Sequence, residues 1–255
     1  MALADERMSE AGPFTPAEAL RRYRAVRTRT LELTAGLSAE DQQVQSMPDV
    51  SPTKWHLAHT TWFFETFLLA RRPAHAPFDP AFGPLFNSYY EALGARHPRP
   101  ERGLLSRPSL TEVLAYRAHV DAAMDAMIAE ASSVGWRELA PLVELGLNHE
   151  QQHQELILMD IKHVFSMNPL DPAYAIATEA PASVDRPQGW VEFPGGLVEI
   201  GAQGAGFAFD NERPRHRVWL EPFRLADRSV TAGEWCAFIE DGGYRRPELW
   251  LADGW

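Results

Sequence analysis

The residues with the clearest chemical potential lie in LGLNHEQQHQELILMD, residues 145–160. His149, Glu150 and His153 fit H-E-x-x-H, in which two imidazoles on one helical face hold zinc and the glutamate acts as base. The same letters fit H-x-x-x-H-x-E, which makes Glu155 the acid of interest. Residues four apart on a helix share a face, about 5–6 Å from each other, so both histidines can address one ion. Glu155, two residues after His153, faces about 160° away from it and suits a supporting contact rather than ligation. A metal centre needs a third protein ligand, and KWHLAHTTWFFETF offers two. His59 lies on a stripe with Trp55, Trp62, Thr66 and Leu69, and His56 on one with Thr60, Phe63 and Phe67. Both stripes are largely apolar, so periodicity leaves the choice open. Three imidazoles suit zinc, iron, copper or nickel. The zincin reading loses ground because its third ligand should stand on a separate downstream element beside an edge strand. Downstream of His153 lie His163, on the same helix, and then a proline-rich segment.

Local signals place the elements that must hold these groups. Residues 1–14 read as a disordered lead. Thr15, Pro16 and Glu18 open a first helix, which Gly36 ends. Ser51 as cap and Pro52 at the first helical position open a second, running through SPTKWHLAHTTWFFETFLLARR. Residues 73–108 are rich in Pro, Gly and aromatics and show no sustained period; a connection of that length is expected to be functional. Ser109 and Glu112 cap a third helix, and a fourth runs from about Trp136 to Phe165 with the histidine pair on it. Four amphipathic helices with one long connection predict a four-helix bundle over residues 15–168. Pro169, Pro172, Pro181 and Pro187 mark residues 169–189 as a linker. Alternation in WVEFPGGLVEIGA and HRVWLEPFRLA predicts strands around a Pro-Gly-Gly turn, and Thr231 and Glu234 cap a short helix. The fold class is thus α+β. About 65 residues of mixed strand and helix make a thin core, so the second domain, residues 190–255, is expected to be cut short at Trp255.

The bulk properties exclude several classes. A net charge of −11 argues against nucleic acid as a partner, because phosphate binding needs a basic surface. No run approaches the roughly 18 apolar residues of a membrane span. The acidic start, MALADERMSEAGPF, is no secretory signal. The single cysteine, Cys236, makes no internal disulfide, and a cytoplasmic location is expected.

The segments SPTKWHLAHTTWFFETFLL, FNSYYEALGARHPRPERGLLSRPSLTEVLAYR and NHEQQHQELILMDIKHVFSMNP, in that order, resemble the ergothioneine-biosynthesis sulfoxide synthases, or hercynine oxygenases. GGLVEIGAQGAGFAFDNERPRHRVWLEPFRLADRSVTAGEW resembles the start of their second domain, which is formylglycine-generating-enzyme-like and related to C-type lectins. The resemblance covers nearly all of residues 15–255. It implies a DinB-like bundle carrying a mononuclear non-haem Fe(II) held by His149, His153 and His59, the histidine that follows Ala in W-x-L-A-H. Glu155 becomes the motif glutamate in a supporting role. The implied reaction uses O₂ to join a thiol sulfur to C2 of the imidazole of hercynine (N-α-trimethylhistidine), giving a sulfoxide. The implied partners are therefore small molecules: hercynine, γ-glutamylcysteine or cysteine, and O₂. Arg99 and Arg102 match a Pro-Arg-x-x-Arg segment that binds the thiol substrate, whose carboxylates arginine suits. Gln152 matches a substrate-contacting position. The trimethylammonium group suits aromatic walls, for which Trp55, Trp62, Tyr89 and Tyr90 are candidates. The family's catalytic tyrosine falls late in the second domain, beyond Trp255. Two alternatives stand beside this reading: a zinc-dependent DinB-type thiol transferase or hydrolase, and a metal-binding bundle without turnover.

Overall fold

The computed structural model describes residues 14–88, 94, 96–175, 186–204 and 206–255. Most of the expected lead, part of the expected linker, and Tyr89 and Tyr90 lie outside the described residues. The chain divides into two units, residues 1–178 and 179–255.

The first unit is built on four helices, α1 (Pro16–Thr34), α2 (Thr53–Phe67), α4 (Leu110–Ala129) and α5 (Ser133–Ser166), with a one-turn helix α3 (Phe82–Phe86) between α2 and α4. Local chemistry starts three of the four. Thr15 Oγ1 accepts from Glu18 N–H at 3.2 Å at the head of α1. Ser109 N–H donates to Glu112 at 2.7 Å while Ser109 Oγ accepts from Glu112 N–H at 3.3 Å at the head of α4. Ser132 Oγ accepts from Gly135 N–H at 3.1 Å at the head of α5, three residues ahead of the expected start at Trp136. Each such cap is worth about 1 kcal/mol.

The start of α2 departs from the expectation. Its N-cap is Pro52, with no side-chain cap, because Ser51 is held by tertiary partners. Ser51 N–H donates to Asp160 Oδ2 at 2.9 Å and its Oγ accepts from Arg102 Nη1 at 2.9 Å. The helix also ends at Phe67, short of the expected Arg72, and a 3₁₀ turn at Leu69–Arg71 follows. Every residue of α2 from Thr53 to Glu65 is buried. A helix enclosed on all sides has no solvent face, which explains why periodicity could not choose between His56 and His59.

The bundle pairs α1 with α4 and α5, and α2 with the same two. Its core contains Tyr23, Leu57, Trp62, Phe64, Tyr116 and Leu147. Helix α5 approaches α2 closely at Gly146, where an added Cβ would lie 2.5 Å from a ring carbon of Phe64. Residues 73–108, read as irregular, carry α3 and a 3₁₀ helix at Arg99–Leu104. Phe82 and Phe86 of α3 are buried in the bundle core, which fastens this part of the connection to the bundle.

The second unit holds two antiparallel ribbons. Strand β1 (Trp190–Phe193) pairs with β4 (Phe223–Ala226), and β2 (Gly196–Ile200) pairs with β3 (His216–Leu220). The Pro-Gly-Gly turn stands between β1 and β2, yet each strand takes a partner from further along the chain. Gly195 has φ 71°, and a Cβ there would collide with the carbonyl oxygen of Leu220, so the turn requires glycine. Helix α6 (Ala232–Glu240) begins with the expected reciprocal Thr231–Glu234 cap. Trp190, Trp219 and Trp235 remain exposed, in keeping with the thin core expected here.

Candidate metal centre

Helices α2 and α5 bring His59, His149 and His153 together, with one ring nitrogen from each lying within 4.8 Å of the others. The four-residue spacing on α5 sets His149 and His153 on one face, at ring centroids 4.6 Å apart. His59 enters from α2. Its ring runs parallel to Trp55, 4.6 Å away at 11°, and to Trp62, 5.5 Å away at 17°. His59 Nδ1 lies 2.6 Å from the carbonyl oxygen of Phe86. A carbonyl only accepts, so Nδ1 carries the proton and Nε2 keeps its lone pair. That Nε2 stands 3.3 Å from His149 Nε2, close to the spacing of two nitrogens each about 2.0–2.1 Å from one shared ion.

Burial keeps these rings neutral. It pushes His149 down to about 4 and His59 and His153 well below the ordinary histidine range, and repulsion from neighbouring imidazoles adds to each shift. Neutral imidazole is the form that binds metal. The arrangement therefore fits an ion: three lone-pair nitrogens, ligand-ready at neutral pH, on two helices locked by the core.

The triad opens on a cavity of about 530 Å³. Arg99, Arg102, Gln152 and Glu155 all line it, so these four expected residues lie around the triad. Their settings differ. Gln152, Glu155 and Arg99 are exposed, whereas Arg102 is buried. The Arg102 guanidinium lies over Trp55 at 3.4 Å from the ring centroid and donates to Ser51 Oγ at 2.9 Å and Ser88 Oγ at 3.1 Å. Trp55 lines the cavity, while Trp62 is absent from its wall and packs in the core.

Two residues were not assigned a role from the sequence. His56, weighed there only as a rival ligand, places Nδ1 2.8 Å from His153 Nδ1 and Nε2 3.0 Å from Asp160 Oδ2. Asp160, seven residues after His153, is 4% exposed; an acid on the inner stripe of α5 was the available signal. Glu155, by contrast, is exposed where it borders the cavity.

Glu150, left without a role by the H-x-x-x-H-x-E reading, proves to be a structural centre. It is fully buried and joins three helices. Its Oε1 accepts from Thr30 Oγ1 at 2.6 Å and Arg117 Nη2 at 2.9 Å, and its Oε2 from Arg27 Nη1 at 3.0 Å. Burial alone would raise its pKa, but Arg27 and Arg117 outweigh it and hold the carboxyl at about 2. A carboxylate so committed, on a face away from the cavity, has no capacity to act as a zincin base.

These features define the class: a four-helix bundle with an all-histidine, ion-competent centre on its inner faces. Comparison with known proteins agrees. The chain belongs to the DinB superfamily, which it matches over residues 22–157, and residues 176–255 match the sulfatase-modifying factor enzyme 1-like domain. The resemblance to the hercynine oxygenases is borne out by curated relatives. The chain is 32% identical to hercynine oxygenase of Mycolicibacterium smegmatis, over 90% of this chain and 51% of that protein. It is 31% identical to hercynine oxygenase of Mycolicibacterium thermoresistibile, over 94% of this chain and 52% of that protein. A shorter match, 34% over 28% of the chain, is to formylglycine-generating enzyme of Streptomyces coelicolor. The chain thus spans about half the length of the curated hercynine oxygenases it matches.

Proposed function

We propose that this chain carries the iron centre of a hercynine oxygenase, an O₂-dependent oxidoreductase of ergothioneine biosynthesis. The observation that supports it most is the convergence of His59, His149 and His153 at a cavity, together with the similarity to hercynine oxygenases over most of the chain. The three neutral imidazoles would hold Fe(II) and leave coordination positions open. Iron so held supplies the activation of dioxygen needed to oxidise a thiol and bond its sulfur to carbon.

The protein residues bind and orient. Arg102, fixed by Ser51, Ser88 and the face of Trp55, presents a preorganised cation to the carboxylate of a thiol substrate, γ-glutamylcysteine or cysteine. Arg99, on the same 3₁₀ helix, supplies a second and more adaptable one. Gln152 and Glu155 border the same space, where Gln152 would contact substrate and the carboxylate of Glu155 would favour the trimethylammonium of hercynine. Burial of the triad excludes bulk water from one side of the reacting groups.

The test is anaerobic loading with Fe(II), addition of hercynine and either thiol, then O₂. It applies to the 255-residue chain and to any longer reading frame that continues past Trp255. Oxygen uptake that requires both substrates, with a sulfoxide product by mass spectrometry, supports the reading. Absence of uptake in an iron-loaded, extended chain overturns it. A zinc-dependent DinB-type transferase or hydrolase is the second reading, because an all-imidazole set also suits zinc. Tightly held zinc after purification, with thiol transfer or hydrolysis independent of O₂, would favour it.

A further inference from the structure

The metal reading gives His153 the same task as His59 and His149, but its surroundings are unlike theirs. His59 is oriented by a backbone carbonyl. The buried Nδ1 of His149 has no hydrogen-bond partner among the described residues. His153 instead meets a second imidazole, and that imidazole meets a carboxylate. We propose that Asp160 and His56 are positioning residues that fix the tautomer and ring angle of His153, so that its Nε2 lone pair faces the triad.

The hydrogen-bond bookkeeping allows one arrangement. Asp160 Oδ2 already accepts from Ser51 N–H at 2.9 Å and can only accept again, so His56 Nε2, at 3.0 Å, carries a proton and donates it. A neutral His56 then has a bare Nδ1. The nitrogen facing it at 2.8 Å is His153 Nδ1, which must supply the proton for that contact. His153 Nε2 is left with its lone pair, as ligation requires. Had His56 taken the opposite tautomer, its Nδ1–H would draw the lone pair of His153 Nδ1 and leave a proton on Nε2, blocking the ligand atom. The carboxylate thus selects a ligating ring through an intermediate imidazole. Directly bonded carboxylate–histidine–metal triads do the same in one step, and their outer partners set metal affinity within about 10–100-fold.

Burial makes the device strict. His56 is 2% exposed, Asp160 4% and His153 8%, so solvent does not offer substitute partners. The geometry also couples the start of α2 to the site. The same Asp160 oxygen holds Ser51 N–H, one residue ahead of the N-cap Pro52, and Ser51 Oγ holds Arg102.

The inference rests on the triad as a metal site, and the experiment separates the two. Co(II) binding to the 255-residue chain is followed by its visible absorption bands and by calorimetry, for wild type and for His59→Ala, His56→Phe, His56→Gln, Asp160→Asn and the double variant His56→Phe/Asp160→Asn. Affinity should fall about 10–100-fold in His56→Phe with altered absorption bands. His56→Gln, whose amide oxygen can accept from His153 Nδ1–H, should recover most of it. Asp160→Asn should weaken binding alone but add nothing in the His56→Phe background, because its effect passes through His56. Equal losses in His56→Phe and His56→Gln, or additive losses in the double variant, overturn the relay in favour of simple packing. Binding within about threefold of wild type in a folded His56→Phe protein overturns it outright. If His56→Phe does not fold, Asp160→Asn with unchanged affinity and spectrum does the same. Binding that survives His59→Ala overturns the triad itself.

Discussion

Glu150 offers the sharpest test of what each letter of the HEQQHQE stretch does. Glu150→Gln keeps the shape and removes the charge that Arg27 and Arg117 share. Arg27 and Arg117 hold its carboxyl at about 2 in the folded protein, below the ordinary glutamate value, a depression that corresponds to stabilisation on the order of 3 kcal/mol at neutral pH. Removing one partner from a buried ion pair generally costs about 3–5 kcal/mol, so the two routes agree. For a domain of this size about 2–4 °C is lost per kcal/mol, giving a fall of roughly 6–12 °C in Tm. The sign with pH follows from the direction of the shift. A depressed carboxyl pKa stabilises fully above about 4.5, and the contribution is lost as pH falls towards about 2. The gap between wild type and Glu150→Gln should therefore be constant from pH 8 to 5 and close below it. The assay is helical circular dichroism of the metal-free protein during thermal and urea unfolding at several pH values. A change below about 1 kcal/mol at pH 7 would refute the structural assignment. Unchanged stability with lost activity would return Glu150 to the role of catalytic base.

Gly146→Ala should destabilise the bundle by about 1–3 kcal/mol, because its Cβ would sit 2.5 Å from the Phe64 ring; an unchanged Tm contradicts the close α2–α5 approach. Arg102→Lys keeps the charge but loses the planar stack on Trp55 and the fork between Ser51 and Ser88. It should raise KM for the thiol at least tenfold with little change in KM for hercynine, and equal effects on both would refute a thiol clamp. Burial lowers the pKa of all three triad histidines, His149 to about 4. The neutral form is favoured, so Co(II) affinity should stay level from pH 8 through the ordinary histidine range and fall only as pH approaches about 4. A tenfold loss between pH 7 and 6 would contradict that.

Much of the bundle was legible because its signals are local. The Thr15–Glu18 and Ser109–Glu112 caps, like Thr231–Glu234 in the second unit, depend on residues three apart and formed as the sequence indicated. Ser51, read as a cap ahead of Pro52, is instead engaged by Asp160 and Arg102, partners 109 and 51 residues away, which no local rule sees. Helix α3 was missed because five residues have no period to show, and it is the docking of Phe82 and Phe86 that holds it. At the site, the spacing of His149 and His153 gave a shared face directly. The choice of His59 over His56 needed the family resemblance, since α2 is buried all round. Glu150 was misjudged for a related reason: a charge inside a bundle is meaningful only through Arg27 and Arg117, supplied by other helices.

Whether His59, His149 and His153 form one metal site is measured most directly by anaerobic Fe(II) titration of the chain. The expected result is one ion bound per chain, with affinity falling at least a hundredfold in each of His59→Ala, His149→Ala and His153→Ala while Glu155→Gln stays within a few-fold of wild type. Binding that is unchanged by removal of any triad histidine, in protein that remains folded, would contradict it.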